Sequence, residues 1–241
     1  MSKGTLYLIP TTLGKTPENN TIPEYTLSVL RKLDALVVEN IQTSVKFLQW
    51  VGDTIPEYNI DFYPLNKNTP DLEIYSFLKP LKAGKDMGIM SEAGAPAVAD
   101  PGSKLIKMAH QNGIKIVPLV GPSSILLALM ASGFNGQSFA FSGYLPIDAK
   151  GRKQMLVQLE GESRRHDRTQ LFMEAPYRNN EMLTSILENC NPSTRLCVAT
   201  DITLPTEDIL SMEIGEWKKL TDIDLHKRPT IFILYGREFI N

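Results

Sequence analysis

The run Ser91-Glu92-Ala93-Gly94-Ala95-Pro96-Ala97-Val98-Ala99-Asp100-Pro101-Gly102 holds the residues best suited to ligand chemistry. Two glycines, two prolines and small side chains leave backbone that another molecule can approach closely. A strand-like run, Asp86 to Met90, precedes it, and a helix-like run, Ser103 to Asn112, follows. Open α/β sheets bind ligands at the carboxyl ends of their strands, so this loop reads as a small-molecule site. Two further loops have the same character. Pro10-Thr11-Thr12-Leu13-Gly14 follows the strand-like Thr5–Ile9, and Pro118-Leu119-Val120-Gly121-Pro122-Ser123-Ser124 closes a third strand-like run and places backbone N–H groups at a helix start.

Absent motifs narrow the chemistry. The chain has no GxG arrangement, so the dinucleotide fingerprint is missing, and no GxxxxGK[ST] phosphate loop. No GxSxG elbow marks a hydrolase. A ligand must therefore be held by backbone groups of several separate loops. His110, His166 and His226 are scattered, and Cys190 and Cys197 lack a CxxC spacing, so no metal site is expected. The two cysteines read as reduced, buried thiols.

The elements that must position these loops follow from periodicity. Thr5–Ile9, Ala35–Val38, Met87–Met90 and Ile114–Val120 read as strands. Between them, helices are expected from Thr21 onward with Leu27, Leu30 and Leu33 inward, from a Thr43 or Ser44 cap, and from an Asp71 cap through Leu72, Tyr75 and Leu78. A further helix with Leu105, Ile106 and Ala109 stops at Asn112-Gly113. Strand–helix alternation over this half predicts a mostly parallel α/β domain. After Gly121 the pattern is less regular. Strands are expected at 139–141, 169–174, 196–200 and 230–235, helices at 150–159, 179–188 and 215–220, and a turn at Gly143-Tyr144-Leu145-Pro146. Two domains, 1–120 and 121–241, are expected.

Composition sets the outer bounds. The chain has 241 residues, 42% hydrophobic and 22% charged, with a formal net charge of -2, so the whole molecule is no electrostatic magnet for nucleic acid or membrane. The longest strongly apolar stretch, Ile125 to Ala131, is too short to span a bilayer. Met1-Ser2-Lys3-Gly4 leads directly into a strand without a signal-peptide apolar region, so a cytoplasmic protein is expected.

The set GTLYLIPTTLG, MSEAGAPAVADPG, IKIVPLVGPSS and FSGYLP, in this order, resembles the tetrapyrrole (corrin/porphyrin) methylase superfamily. The branch it is most similar to 2'-O-methylates a cytidine ribose in 16S ribosomal RNA. The likeness continues through Lys150–Lys153, Phe172–Arg178 and Ala199–Thr203, nearly the whole chain. It implies two α/β domains, each a mixed or mostly parallel sheet flanked by helices, with S-adenosylmethionine in the interdomain cleft, and commonly a homodimer. By position, Pro10 and Gly14, then Ser91, Glu92, Ala93 and Gly94, and Gly121, Pro122 and Ser123 would hold the cofactor. Tyr144, Leu145, Glu174, Ala175, Thr200, Pro229 and Thr230 would complete its pocket. A sulfonium donor carries one positive charge and an adenine, so backbone carbonyls and carboxylates suffice without a phosphate cradle.

The chain departs from that branch in two places. Its E-D-T-R run is here Glu39-Asn40-Ile41-Gln42-Thr43, and its D-A-G-T-P is Glu92-Ala93-Gly94-Ala95-Pro96. A ribose hydroxyl is a poor nucleophile, and Glu39, where the family keeps a carboxylate, is the candidate base. Lys150, Arg152 and Lys153, with Arg178, are the candidate contacts to an rRNA or small-ribosomal-subunit substrate, because phosphate contacts supply most affinity. Two other readings stand beside RNA ribose methylation. One is a C-methyltransferase of a tetrapyrrole or other small molecule, and the other is a non-catalytic S-adenosylmethionine-binding protein.

Overall fold

The structure, a computed structural model, describes residues 2–16, 21–52 and 59–236. The chain divides into two compact units, Met1–Ser123 and Ser124–Asn241, each with its own five-stranded sheet.

In the first unit β1 (Thr5–Ile9), β2 (Ala35–Val38), β3 (Asp61–Pro64), β4 (Met87–Met90) and β5 (Lys115–Pro118) lie in the order β3-β2-β4-β1-β5. Every pairing is parallel. All four residues of β2 and of β4 are buried, as continuous apolar runs must be when helices cover both faces of a sheet. On one face Val37 and Ile89 meet Leu78 and Leu81 of α4 (Leu78–Lys82) and Leu105 of α5 (Gly102–Gln111). On the other, Ile9, Leu36 and Val38 meet Leu27 and Leu30 of α1 (Glu24–Leu30) and Leu48 of α2 (Ile41–Trp50).

Several local expectations are corrected. The cap of α2 is Asn40, whose side chain accepts hydrogen bonds from the Gln42 and Thr43 amides, so the helix starts earlier than a Thr43 or Ser44 cap allows. The helix expected from Asp71 is two pieces, α3 (Asp71–Ser76) and α4. Its inward residue is Ile74, while Leu72 and Tyr75 are exposed. Leu33 is buried in the turn beyond α1. Strand β3 had no counterpart in the sequence reading. It is short, half-exposed, at the sheet edge and ends in proline, which removes the apolar run that marks its neighbours.

The second unit begins with α6 (Ser124–Ser132), followed by β6 (Phe139–Tyr144), α7 (Ala149–His166), β7 (Thr169–Met173), α8 (Asn179–Asn189), β8 (Arg195–Thr200), β9 (Asp208–Glu213), α9 (Ile214–Trp217) and β10 (Thr230–Tyr235). The sheet order is β6-β7-β10-β8-β9, parallel only between β6 and β7. The central β10 is buried throughout, and Phe232 stacks on Phe172 at 5.7 Å beside Trp217 and Leu156. Gly143 and Tyr144 are not a turn. They extend β6 through a register shift, with Gly143 at φ +64°, the bulge position that favours glycine. Edge strand β9 also went unanticipated, because its six residues are flanked by polar positions and none is fully buried. Cys190 and Cys197 are free and buried.

Candidate functional site

Parallel pairing brings the carboxyl ends of β1, β2, β4 and β5 to one edge of the first sheet, and the loops that follow meet there. The Thr11 amide donates to the Gly94 carbonyl at 3.0 Å, and the Gly94 amide donates back to Thr11 at 3.2 Å. Thr11 Oγ1 donates to the Ser91 carbonyl, and Ser91 Oγ donates to the Gly94 carbonyl at 2.9 Å. Gly94 sits at φ +72°, where a Cβ would be strained and would lie 3.0 Å from Leu13 and 3.5 Å from the Pro122 carbonyl. A Cβ on Gly121 would stand 2.4 Å from Pro10 Cβ. The structure thus brings Pro10–Gly14, Ser91–Gly94 and Gly121–Ser123 together, and it does so through backbone contacts.

The distal half of the β4 loop is held by a carboxylate. Asp100 accepts hydrogen bonds from the Ala97 amide at 2.8 Å and the Gly102 amide at 2.7 Å. These bonds pin Ala97 and Gly102, and between them Ala97 and Ala99 are both left-handed although neither is glycine. Burial raises the Asp100 carboxyl above its ordinary value even though both amide bonds pull it down.

Near this edge Glu39 feels the charges of two other acids, Glu92 and Asp100. Glu92 accepts a hydrogen bond from Thr43 Oγ1 at 2.7 Å. Glu39, at the end of β2, is raised above the ordinary carboxylate value by burial first, then by the charges of Glu92 and Asp100. Such crowding favours a bound cation and brings a carboxylate base closer to neutrality. Next to the acids lies a cavity of about 550 Å³, lined by residues 11–16, by Thr43, Ser44, Lys46, Phe47 and Trp50 of α2, and by residues 90–93. That volume falls in the range of small-molecule pockets. Glu92 reaches its wall, whereas Glu39 and Asp100 line a separate, smaller depression.

In the second unit the candidates gather at one end of the sheet. Tyr144 pairs with Met173, Met173 with Ile231, and Thr230 with Thr200, whose hydroxyls are 3.4 Å apart. Ala175 and Pro229 flank this row. The Leu145 side chain lies in the core, which leaves its backbone as the only part able to meet a ligand. Glu174 is fully enclosed. Its Oε1 accepts from the Ala175 amide and from Arg178 Nη2, each at 2.6 Å, and its Oε2 has no partner among the described residues.

The basic candidates separate sharply. Lys150 and Lys153 are exposed on α7. Arg152 is not a surface contact: its side chain is 3% exposed and donates to Ser185 Oγ, the Ile147 carbonyl and Glu181. The helical period turns it inward between two outward lysines. Arg178 is occupied by Glu174 and lies against its neighbour Tyr177. Sequence reasoning missed the α2 face bearing Lys46, Phe47 and Trp50. Its i, i+1, i+4 spacing was the available signal. Among the described residues no helix is long and apolar enough to cross a membrane.

Comparison with known proteins agrees with this layout. Residues 26–218 match the family model of the tetrapyrrole (corrin/porphyrin) methylases. Ribosomal RNA small subunit methyltransferase I of Escherichia coli O157:H7 is 29% identical over 240 residues, spanning 98% of this chain and 79% of that protein. The proteins of that name from Buchnera aphidicola (subsp. Acyrthosiphon pisum) and Vibrio cholerae are 32% and 31% identical, over 90% and 88% of this chain and 73% and 69% of theirs. The crystal structure of the methyltransferase CobJ superposes with a TM-score of 0.63 at 17% identity, covering 98% of this chain and 94% of that one. Uroporphyrin-III-C-methyltransferase from Thermus thermophilus gives 0.55, also at 17% identity, over 97% and 92%. These two likenesses concern the fold.

Proposed function

Because the chain belongs to the tetrapyrrole (corrin/porphyrin) methylase family and is an S-adenosylmethionine-dependent methyltransferase, we propose that its acceptor is a ribose 2'-hydroxyl of small-subunit ribosomal RNA. The observation that carries this reading is the match to small-subunit rRNA methyltransferases over nearly the full chain.

The residues fit the donor. Gly94 and Gly121 let the Pro10–Gly14, Ser91–Gly94 and Gly121–Ser123 loops close on one another, and the Glu39, Glu92 and Asp100 carboxylates set a negative field suited to a sulfonium. Pro10, Gly14, Ser91–Gly94 and Gly121–Ser123 hold it from the first unit. Tyr144, Ala175, Thr200 and Thr230, the backbone of Leu145, and Glu174 and Pro229 are the second unit's share, on the strength of the family likeness. When bound, S-adenosylmethionine supplies an electrophilic methyl carbon. The protein aligns the acceptor oxygen in line with it, and such positioning contributes roughly 7–11 kcal/mol at best. Glu39 takes the hydroxyl proton, with its raised basicity supplied by burial and by Glu92 and Asp100. Lys150 and Lys153 contact RNA phosphates.

A cytoplasmic homodimer belongs to the same reading. Its support is the outward face of α6, where Leu126 and Met130 are 52% and 77% exposed. Methyl-labelled donor incubated with small ribosomal subunits or with a tetrapyrrole precursor pool tests the acceptor. Label in 16S rRNA is expected, and label confined to small molecules would overturn the proposal. Gel filtration with light scattering at micromolar concentration tests the dimer, against which a purely monomeric mass would count.

A further inference from the structure

The cavity beside the Thr11–Gly94 bridge is lined in part by the donor residues Gly14 and Ser91–Ala93, and its Lys15, Lys46, Phe47 and Trp50 have no part in donor binding. One wall is aromatic. Phe47 and Trp50 lie with ring centroids 6.0 Å apart at 34°, and the indole N–H is fixed by a 3.0 Å hydrogen bond to the Thr16 carbonyl. Lys15 and Lys46 stand exposed at its rim, and among the described residues neither has a carboxylate partner within ion-pair distance. The inner wall is Ser91–Ala93, with Glu92 anchored by Thr43.

These features match one ligand chemistry. Recognition of RNA at a single-stranded loop or bulge leaves a base unstacked, and the protein gives that base a flat apolar surface. The phosphates on either side call for cations at the rim, and the ribose hydroxyls call for acceptors at the floor. A volume of about 550 Å³ accommodates one nucleoside and excludes a stretch of duplex. A tetrapyrrole bearing many carboxylates would meet only two lysines and would face Glu92.

We propose that this cavity is the acceptor-nucleotide site, with Trp50 and Phe47 as its stacking wall, Lys15 and Lys46 as contacts to the flanking phosphates, and Glu92 facing the ribose. The proposal deepens the methyl-transfer reading and rests on it.

The test uses the full chain. Lys15→Ala/Lys46→Ala removes only exposed charge, so folding is preserved. KM for small ribosomal subunits should rise about tenfold or more, with kcat within about twofold and donor Kd unchanged by calorimetry. Binding of a short single-stranded RNA should lose roughly 1.4 from its log–log salt slope, about 0.7 for each phosphate contact. The same RNA should quench the fluorescence of the wild-type chain and not of Trp50→Phe, because Trp217, the other tryptophan, is buried in the second unit. An unchanged KM with an unchanged salt slope, or quenching that survives in Trp50→Phe, overturns the assignment. A wild-type chain that binds no donor fails at the methyl-transfer reading instead, and calorimetry alone shows which of the two has failed.

Discussion

Thr11 and Gly94 exchange a reciprocal pair of backbone hydrogen bonds just beyond the carboxyl ends of β1 and β4. This antiparallel bridge, outside an otherwise parallel sheet, locks two loops that are distant in sequence into one surface. Gly121 presses against Pro10 from a third loop. Precise backbone placement is what a ligand without phosphates requires, since few side chains are available to correct an error.

Gly121→Ala should therefore separate the β1 and β5 loops, because the new methyl would meet Pro10 at 2.4 Å. Donor affinity should fall about tenfold or more, and calorimetry measures it. Wild-type affinity in this variant would show that the contact between these loops does not shape the donor site.

Acid sensitivity should follow Glu39. Burial, then Glu92 and Asp100, raise this carboxyl, so its basic form is lost as pH falls through a value higher than that of an ordinary glutamate. The acid limb of kcat should lie at correspondingly higher pH, and Glu92→Gln should move it down by removing one repelling charge. Glu39→Gln should lower kcat by roughly 10²–10⁴, the usual contribution of a general base. Wild-type kcat in Glu39→Gln would remove Glu39 from the mechanism.

Arg152 and its two lysine neighbours should separate cleanly. Arg152→Ala leaves Ser185 and the Ile147 carbonyl without their buried donor and should cost about 2–3 kcal/mol, seen as a fall in thermal midpoint. Lys150→Ala/Lys153→Ala should leave the midpoint unchanged and weaken RNA binding in a salt-dependent way. A double lysine variant with wild-type salt dependence would place the RNA elsewhere.

The cysteines should be silent in the native state. Burial raises both thiols to about 12, the leading cause in each case, so almost no thiolate exists at neutral pH. Titration with a disulfide reagent at pH 7.5 should modify neither residue until denaturant is added. Rapid labelling of the folded chain would contradict the burial.

The parallel first sheet and the three loops of the candidate site were legible from local pattern. β1 is bounded by Gly4 and Pro10, β2 and β4 are short apolar runs between polar residues, and turn chemistry acts over a few neighbours. The edge strands β3 and β9 were not legible. Edge strands need no continuous apolar run, and their pairing is decided by partners distant in sequence. Likewise, one basic run placed Lys150, Arg152 and Lys153 together, yet helix rotation and the Glu181 and Ser185 groups of α8 turned Arg152 inward. The α2 face bearing Lys46 and Trp50 became part of a cavity only when residues 11–16 folded across it and the Thr16 carbonyl accepted the indole proton. Sequence alone determined the residues that leave backbone accessible. Tertiary packing decided which of them meet, because the bonds that join Thr11 to Gly94 and Trp50 to Thr16 span separations that no local propensity encodes.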